Sequence, residues 1–160
     1  MNTQIDTIRT GLLRWYKVHG RDLPWRRTTD PYRIFLSEVM LQQTQVERVI
    51  GYWYAFLTEF PTVGSLARAP LPQVQRAWSG LGYNNRARYI HDTAKAVVAR
   101  HGGQFPSTLA ELRDLPGIGR YTAGAIMSFA FCEDAPIVDT NVIRVLNRYF
   151  GVEPGASAGA

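Results

Sequence analysis

The chain has 160 residues and a mass of 18.0 kDa, enough for a single domain with a buried core. Its 18 basic residues, mostly arginine, stand against 13 acidic ones, and the resulting net charge of +5 and pI of about 9.7 suit a polyanionic partner such as nucleic acid. The single cysteine, Cys132, excludes an intramolecular disulfide and any multi-cysteine metal or iron–sulfur site built from this chain alone. No apolar run approaches the roughly 20 residues that span a bilayer, and the N-terminus lacks the layout of a signal peptide, so a cytoplasmic protein is expected.

The hydrophobic pattern is helical from end to end. Ile5, Ile8, Leu12, Leu13, Trp15 and Tyr16 recur at helical spacing and predict an amphipathic helix over about residues 3–18, stopped by His19-Gly20. The stretch from Trp25 to Thr29 reads as a loop. Asp30 is an N-cap with Pro31 in the first helical position, and the helix it opens carries Ile34, Phe35, Glu38, Val39, Met40 and Leu41. A third helix runs from about Val46 to Phe60 and ends at Pro61. Two short helices flank Ala69-Pro70-Leu71-Pro72, and Gly80-Leu81-Gly82-Tyr83 is a turn. A long helix from about Asn85 to Arg100 is closed by Gly102-Gly103. Thr108 with Glu111 matches a capping box for a short helix. A Gly-x-Gly turn, a helix over about 121–131, the loop Cys132–Pro136 and a last helix from Asp139 to Phe150 complete the chain. No segment alternates like a strand, so the expected class is all-α, with a tail over 151–160 that does not pack.

Two kinds of chemistry stand out. Pro116-Gly117-Ile118-Gly119 opens into a helix of small residues, Ala123, Gly124, Ala125 and Ser128. Glycines permit positive φ and close backbone approach, and a helix N-terminus offers free N–H groups and positive dipole potential to a phosphate. The small residues allow a partner helix, that of 107–113, to pack closely. The pattern is that of a helix-hairpin-helix; the alternative is a plain helix corner that uses glycine only for the turn.

The second kind is a pair of carboxylates. Asp139 follows the apolar pair Ile137-Val138 at a helix start, where it stays ionised and can stabilise a sugar cation; the alternative is an N-cap and nothing more. Glu38 sits on an almost wholly apolar helix, where desolvation raises its pKa and makes it a proton donor; the alternative is an exposed face. Gln42, Gln43 and Thr44 form a polar cluster that either bonds bases or is a solvated helix end. Tyr83, on a tight turn, is either a wedge into a base stack or a hydrophobic plug. Arg86 and Arg88, after Asn84-Asn85 at a helix start, suit phosphates or are solvated surface.

These residues, taken in order, resemble adenine DNA glycosylases of the helix-hairpin-helix superfamily that also contains endonuclease III. The resemblance rests on Leu23-Pro24-Trp25-Arg26, Asp30-Pro31-Tyr32, the run from Ser37 to Val46 (SEVMLQQTQV), Gly80-Leu81-Gly82-Tyr83, Leu115-Pro116-Gly117-Ile118-Gly119 and Val138-Asp139-Thr140-Asn141, and covers about Asp22 to Phe150. It implies a six-helix glycosylase domain over residues 22–150, preceded by an N-terminal helix, 1–21, that packs in the family on a cluster-binding domain.

It also implies roles. Glu38 protonates the extruded adenine and activates water, Asp139 stabilises the sugar cation, and Tyr121 and Asn141 support Asp139. Trp25 and Arg26, with Leu41, Gln42 and Thr44, line the base site; Gln43 and Tyr83 enter the duplex. Arg86, Arg88, Gly117, Ile118, Gly119, Arg120 and Thr122 meet the DNA backbone. The implied partner is double-stranded DNA carrying adenine opposite 8-oxoguanine or guanine, met by a monomer.

The endonuclease III branch has a lysine at the position of Tyr121, so tyrosine there implies base removal without strand cleavage. Asn84 departs from a second aromatic common in the adenine branch, and thymine-excising mismatch glycosylases share the tyrosine, which keeps thymine as the alternative target base. The family continues into a four-cysteine loop holding a [4Fe–4S] cluster. Its ligands are not in this sequence, so the chain is expected to be either a fragment or a form without the cluster half. In that case a non-catalytic DNA-binding module is a further alternative, and the apolar face of the first helix is expected to lack its usual cover.

Overall fold

The computed structural model describes residues 2–151, with side chains from residue 5 onward. Among these residues all regular structure is helical: α1 (Asn2–His19), α2 (Pro31–Leu41), α3 (Val46–Glu59), α4 (Val63–Arg68), α5 (Leu71–Trp78), α6 (Asn85–His101), α7 (Leu109–Arg113), α8 (Arg120–Ala130) and α9 (Thr140–Phe150). A single 3-10 turn, Pro24–Arg26, occupies part of the loop expected before α2. The tail lies outside the described residues except for Gly151, which closes α9 in the left-handed conformation.

Local chemistry sets the helix ends. The Asp30 carboxylate accepts from the backbone N–H groups of Tyr32 at 2.8 Å and Arg33 at 3.4 Å, with Pro31 next in line. Gly102, with φ of 61°, closes α6. The capping box expected at Thr108 is half made. Its hydroxyl accepts from the Glu111 N–H at 3.3 Å, but the Glu111 carboxylate takes that same hydroxyl rather than the Thr108 N–H. A complete reciprocal box lies instead at Thr62 and Ser65, where serine does the work of glutamate.

The core is organised around α2. Every residue from Ile34 to Met40 is buried, so this helix is enclosed on all sides, packed against α3, α6 and α8. Trp25, Trp53, Phe56, Phe60 and Trp78 supply the largest aromatic side chains of the same core, with Trp25 edge-on to Trp53 and Phe56 edge-on to Trp78. Only Ser37 and Glu38 bring polar side chains into this helix's buried run. Ser37 Oγ is satisfied by the Ile34 carbonyl at 2.8 Å; Glu38 is not so provided for.

The buried core runs from Trp25 to Met127 and does not extend to Phe150. α9 contributes no buried side chain: Ile143, Val145, Leu146, Tyr149 and Phe150 are all exposed. Along α1, Ile5, Leu12, Leu13, Trp15 and Tyr16 are likewise exposed, and Ile8 is half-buried. The two helices border one groove of 310 Å³, with Ile8 and Leu12 on one wall and Val142, Val145 and Leu146 on the other.

Candidate active site

Packing of α8 against α2 brings together residues far apart in sequence. Glu38, 3% exposed, points its Oε1 into the interior with no hydrogen-bond donor on it. The nearest cation is Arg26, whose Nη1 stands 3.6 Å away, an ion pair too long to be a hydrogen bond. Burial pushes the Glu38 carboxyl above the ordinary glutamate value; the Arg26 charge and an interaction with the Tyr121 hydroxyl pull it part of the way back. Arg26 is itself held from the other side by Phe129 of α8, whose ring centroid lies 3.8 Å beneath the guanidinium carbon.

Asp139 is the opposite case. It caps α9, Oδ1 accepting from the Val142 N–H at 2.7 Å and Oδ2 from Asn141 Nδ2 at 3.1 Å, while Asn141 Oδ1 accepts from Arg144 at 2.8 Å. The Val142 N–H and the Asn141 amide hold this carboxyl below the ordinary aspartate value. Tyr121, on the first turn of α8 and 37% exposed, feels both groups: burial raises its phenol most, and Glu38 and then Asp139 raise it further, so it is a neutral donor at neutral pH. The site thus holds a buried carboxyl pushed toward its protonated form, a solvated carboxylate held toward its ionised form, and a phenol that feels both.

The path to Asp139 depends on the small residues of α8. A Cβ at Gly124 would stand 2.3 Å from the carbonyl oxygen of Pro136, and Ser128 Oγ donates to the Ala135 carbonyl at 3.1 Å. The small-residue face therefore seats the loop that delivers Asp139. The helix expected on that face, over 107–113, is α7, which does pack on α8, but the closest approach at Gly124 belongs to the loop.

The hairpin is anchored to α6. Gly117 has φ of 76°, and a Cβ there would meet Tyr89 Cβ at 2.9 Å. The Thr93 hydroxyl donates to the Pro116 carbonyl. Only Gly117 needs the left-handed region: Gly119 has φ of −86° as the N-cap of α8 and open space where a Cβ would be. Tyr89 also borders an open cavity of 410 Å³ edged by Gln42, Gln43 and Tyr83.

A family model for the HhH-GPD superfamily of base excision DNA repair proteins matches residues 36–159. The chain belongs to this superfamily. It is 47% identical over 142 residues to the adenine DNA glycosylase of Buchnera aphidicola (subspecies Baizongia pistaciae), covering 88% of this chain and 40% of that protein. Against the human adenine DNA glycosylase the identity is 44%, over 96% of this chain and 30% of that one; for the Mycobacterium tuberculosis protein the figures are 43%, 94% and 49%. The chain thus spans less than half the length of each of these relatives. Among solved structures it superposes on a thermostable thymine-DNA glycosylase with a TM-score of 0.89 at 32% identity, over 94% of this chain and 70% of that one. It also superposes on endonuclease III in a non-covalent DNA complex with a TM-score of 0.79 at 26% identity, over 99% and 73%.

Within this HhH-GPD chain several residues sit differently from their expected places. Arg86 is 5% exposed, its guanidinium spent on backbone carbonyls, so it is not free for a phosphate; Arg88 and Arg120 are exposed. Thr122 and Ile118 turn their side chains into the core, leaving only their main chains near the hairpin surface. Thr44 Oγ1 accepts from Arg86 at 3.1 Å and donates to the Gln42 carbonyl at 3.3 Å. Trp25 has no exposed surface and packs on Trp53, whereas Arg26 beside it is partly exposed. Leu41 is half-buried at the end of α2, and Gln42, Gln43 and Tyr83 are exposed. Phe129 was not legible as a site residue, because its role depends on the α2–α8 packing that sets it under Arg26.

The superfamily resemblance also implied a [4Fe–4S] cluster. Such a cluster takes four thiolates, and Cys132, exposed on the loop after α8, is the only one in the sequence. The residues present do not fit it. Among the described residues no group of three or more His, Cys, Asp or Glu is placed to hold a metal ion, and no helix is long and apolar enough to cross a membrane.

Proposed function

We propose that this chain carries the base-excision chemistry of an adenine DNA glycosylase, hydrolysing the N-glycosidic bond of adenine opposite 8-oxoguanine or guanine in double-stranded DNA. The observation that carries the reading is the pairing of a buried carboxyl, Glu38, whose Oε1 has no hydrogen-bond donor, with a solvated carboxylate, Asp139, fixed by Val142 and Asn141, both within the field of Tyr121. Glu38 donates its proton to the purine ring, so that adenine leaves neutral as the bond from its nitrogen to the sugar breaks. The cation left on the sugar lies beside ionised Asp139, held in aim by Val142 and Asn141. Glu38, now a carboxylate, takes a proton from the water that adds to the sugar.

Arg26 keeps the Glu38 carboxyl oriented and borders the base. The exposed N-terminus of α8, with Gly117, Gly119 and Arg120, and Arg88 on α6 face the DNA backbone, while Gln43 and Tyr83 enter the stack. The chain acts as a monomer, in the cytoplasm and at the nucleoid in a bacterial cell. The phenol of Tyr121 cannot form a Schiff base, so the strand stays intact.

The high structural likeness to a thymine-DNA glycosylase favours one second reading, a thymine-excising enzyme. Single-turnover base release from an adenine:8-oxoguanine duplex, with a guanine:thymine duplex alongside, separates the two. Adenine release lost in Glu38→Gln and Asp139→Asn supports the proposal. Thymine release alone selects the second reading, and binding without release of either base makes the chain a DNA-binding module.

A further inference from the structure

Arg86 is buried, cationic and unused by the chemistry above. It leaves the first turn of α6 and places its guanidinium at the C-terminal end of α2, where carbonyls lack helical partners. Nη1 is shared among the carbonyls of Val39 at 2.9 Å, Met40 at 3.0 Å and Gln42 at 2.7 Å. Nη2 reaches Thr44 Oγ1 at 3.1 Å, the Gly82 carbonyl at 3.1 Å and the Leu81 carbonyl at 3.4 Å. The rings of Trp78 and Tyr83 lie 5.3 and 5.2 Å from its central carbon.

The pattern in these contacts is that two of the acceptors immediately precede left-handed residues. The Gln42 carbonyl belongs to the peptide that enters Gln43, with φ of 55°; the Gly82 carbonyl belongs to the peptide that enters Tyr83, with φ of 48°. Residues with side chains rarely adopt this conformation, and it persists where surrounding bonds impose it. The left-handed turns present Gln43 and Tyr83 outward, Tyr83 at 60% exposure, on two loops that no regular hydrogen-bonded structure joins. A planar fork reaches them with two separated nitrogens; an ammonium has three donors on one centre and cannot hold both sets of acceptors in the same geometry.

We propose that Arg86 is a positioning residue that fixes the two peptide planes presenting Gln43 and Tyr83 and so sets how efficiently the target nucleotide is extruded from the duplex. This rests on the base-excision reading above. It predicts that Arg86→Lys slows single-turnover adenine release from the mispaired duplex by about tenfold or more, the scale of a misplaced contact group. Release from a single-base bulge, whose adenine is already unstacked, stays within about twofold of the unsubstituted chain, the scatter of independent effects. With 2-aminopurine as the target base, the fluorescence rise on binding shrinks. In a Gln43→Ala/Tyr83→Ala background, Arg86→Lys has no further effect on the rate.

Equal slowing on duplex and bulge, an undiminished fluorescence rise, or an additive effect in the double-alanine background would each overturn the proposal. If Arg86→Lys does not fold, Thr44→Val, which removes one acceptor of the fork, is put through the same three measurements and judged by the same outcomes. If the unsubstituted chain releases no adenine, the functional reading fails, and the 2-aminopurine signal still decides this inference: a rise that Arg86→Lys abolishes supports it, and no rise in the unsubstituted chain overturns it.

Discussion

Replacing Gly124 with alanine isolates the geometry that delivers Asp139. The new Cβ would stand 2.3 Å from the Pro136 carbonyl oxygen and 3.2 Å from its carbon. An ordinary carbon–oxygen contact is about 3.3 Å, so the loop has to recede by about 1 Å. The same loop is tied to α8 through Ser128 and runs directly into Asp139, so the recession reaches the carboxylate. A displacement of about 1 Å in a reacting group costs on the order of 10²-fold in rate. Stability changes less, because overpacking costs about 1–3 kcal/mol and alanine in a helix interior recovers about 1 kcal/mol. The assay is single-turnover adenine release with enzyme in excess, beside thermal melting. Gly51→Ala serves as control, since a Cβ there meets nothing within 4 Å. Gly124→Ala with the unsubstituted rate and melting temperature would refute the claim that this close contact positions Asp139.

Other substitutions separate stability from chemistry. Glu38 has a folded-state pKa above its unfolded value, so its native environment favours the protonated form. The stability associated with that form is fully present below the ordinary glutamate range and is lost as pH rises through the folded value. Glu38→Gln, which cannot ionise, is therefore expected to melt above the unsubstituted chain at neutral pH, with the gap closing in acid, as a thermal melt across that range reports. Asp139→Ala removes the cap of α9 and costs about 1 kcal/mol along with activity, whereas Asp139→Asn keeps a good cap and its melting temperature but loses on the order of 10²–10³ in release rate. Borohydride treatment during turnover is expected to trap no covalent complex, because Tyr121 offers no amine; a robust adduct would contradict monofunctional chemistry.

The helices were legible because burial imposes a period on them and because Asp30, Gly102 and Asp139 punctuate them with side-chain chemistry. Glu38 was legible in part: a lone acid within a run as apolar as Ile34–Met40 is expected to be desolvated, but its own helix leaves an exposed face open, and only the packing of the whole run closes it. Arg86 was not. An arginine after Asn84-Asn85 at a helix start reads as surface, and only tertiary packing brings the open carbonyls of α2 and of the Gly80–Gly82 turn within its reach. Gly124 was legible as a packing residue and α7 does pack on its helix, but the loop at Pro136 as its close neighbour was not, since nothing local distinguishes a helix from a loop as the group that needs the space. α9 carries a clear apolar face, yet its exposure could not be read from its own sequence, because amphipathicity says which face seeks cover and not whether cover is there.

The most direct test of the central claim, that Glu38 works as an acid beside an ionised Asp139, is the pH dependence of single-turnover adenine release from the adenine:8-oxoguanine duplex. The account predicts a fall in rate on the alkaline side, governed by a group above the ordinary glutamate value, and a fall on the acid side only below the ordinary aspartate value. Arg26→Gln, which removes the charge that draws Glu38 down, moves the alkaline fall to higher pH. A rate that climbs as pH rises through the Glu38 transition would contradict the account, because the ionised carboxylate would then be the form that acts.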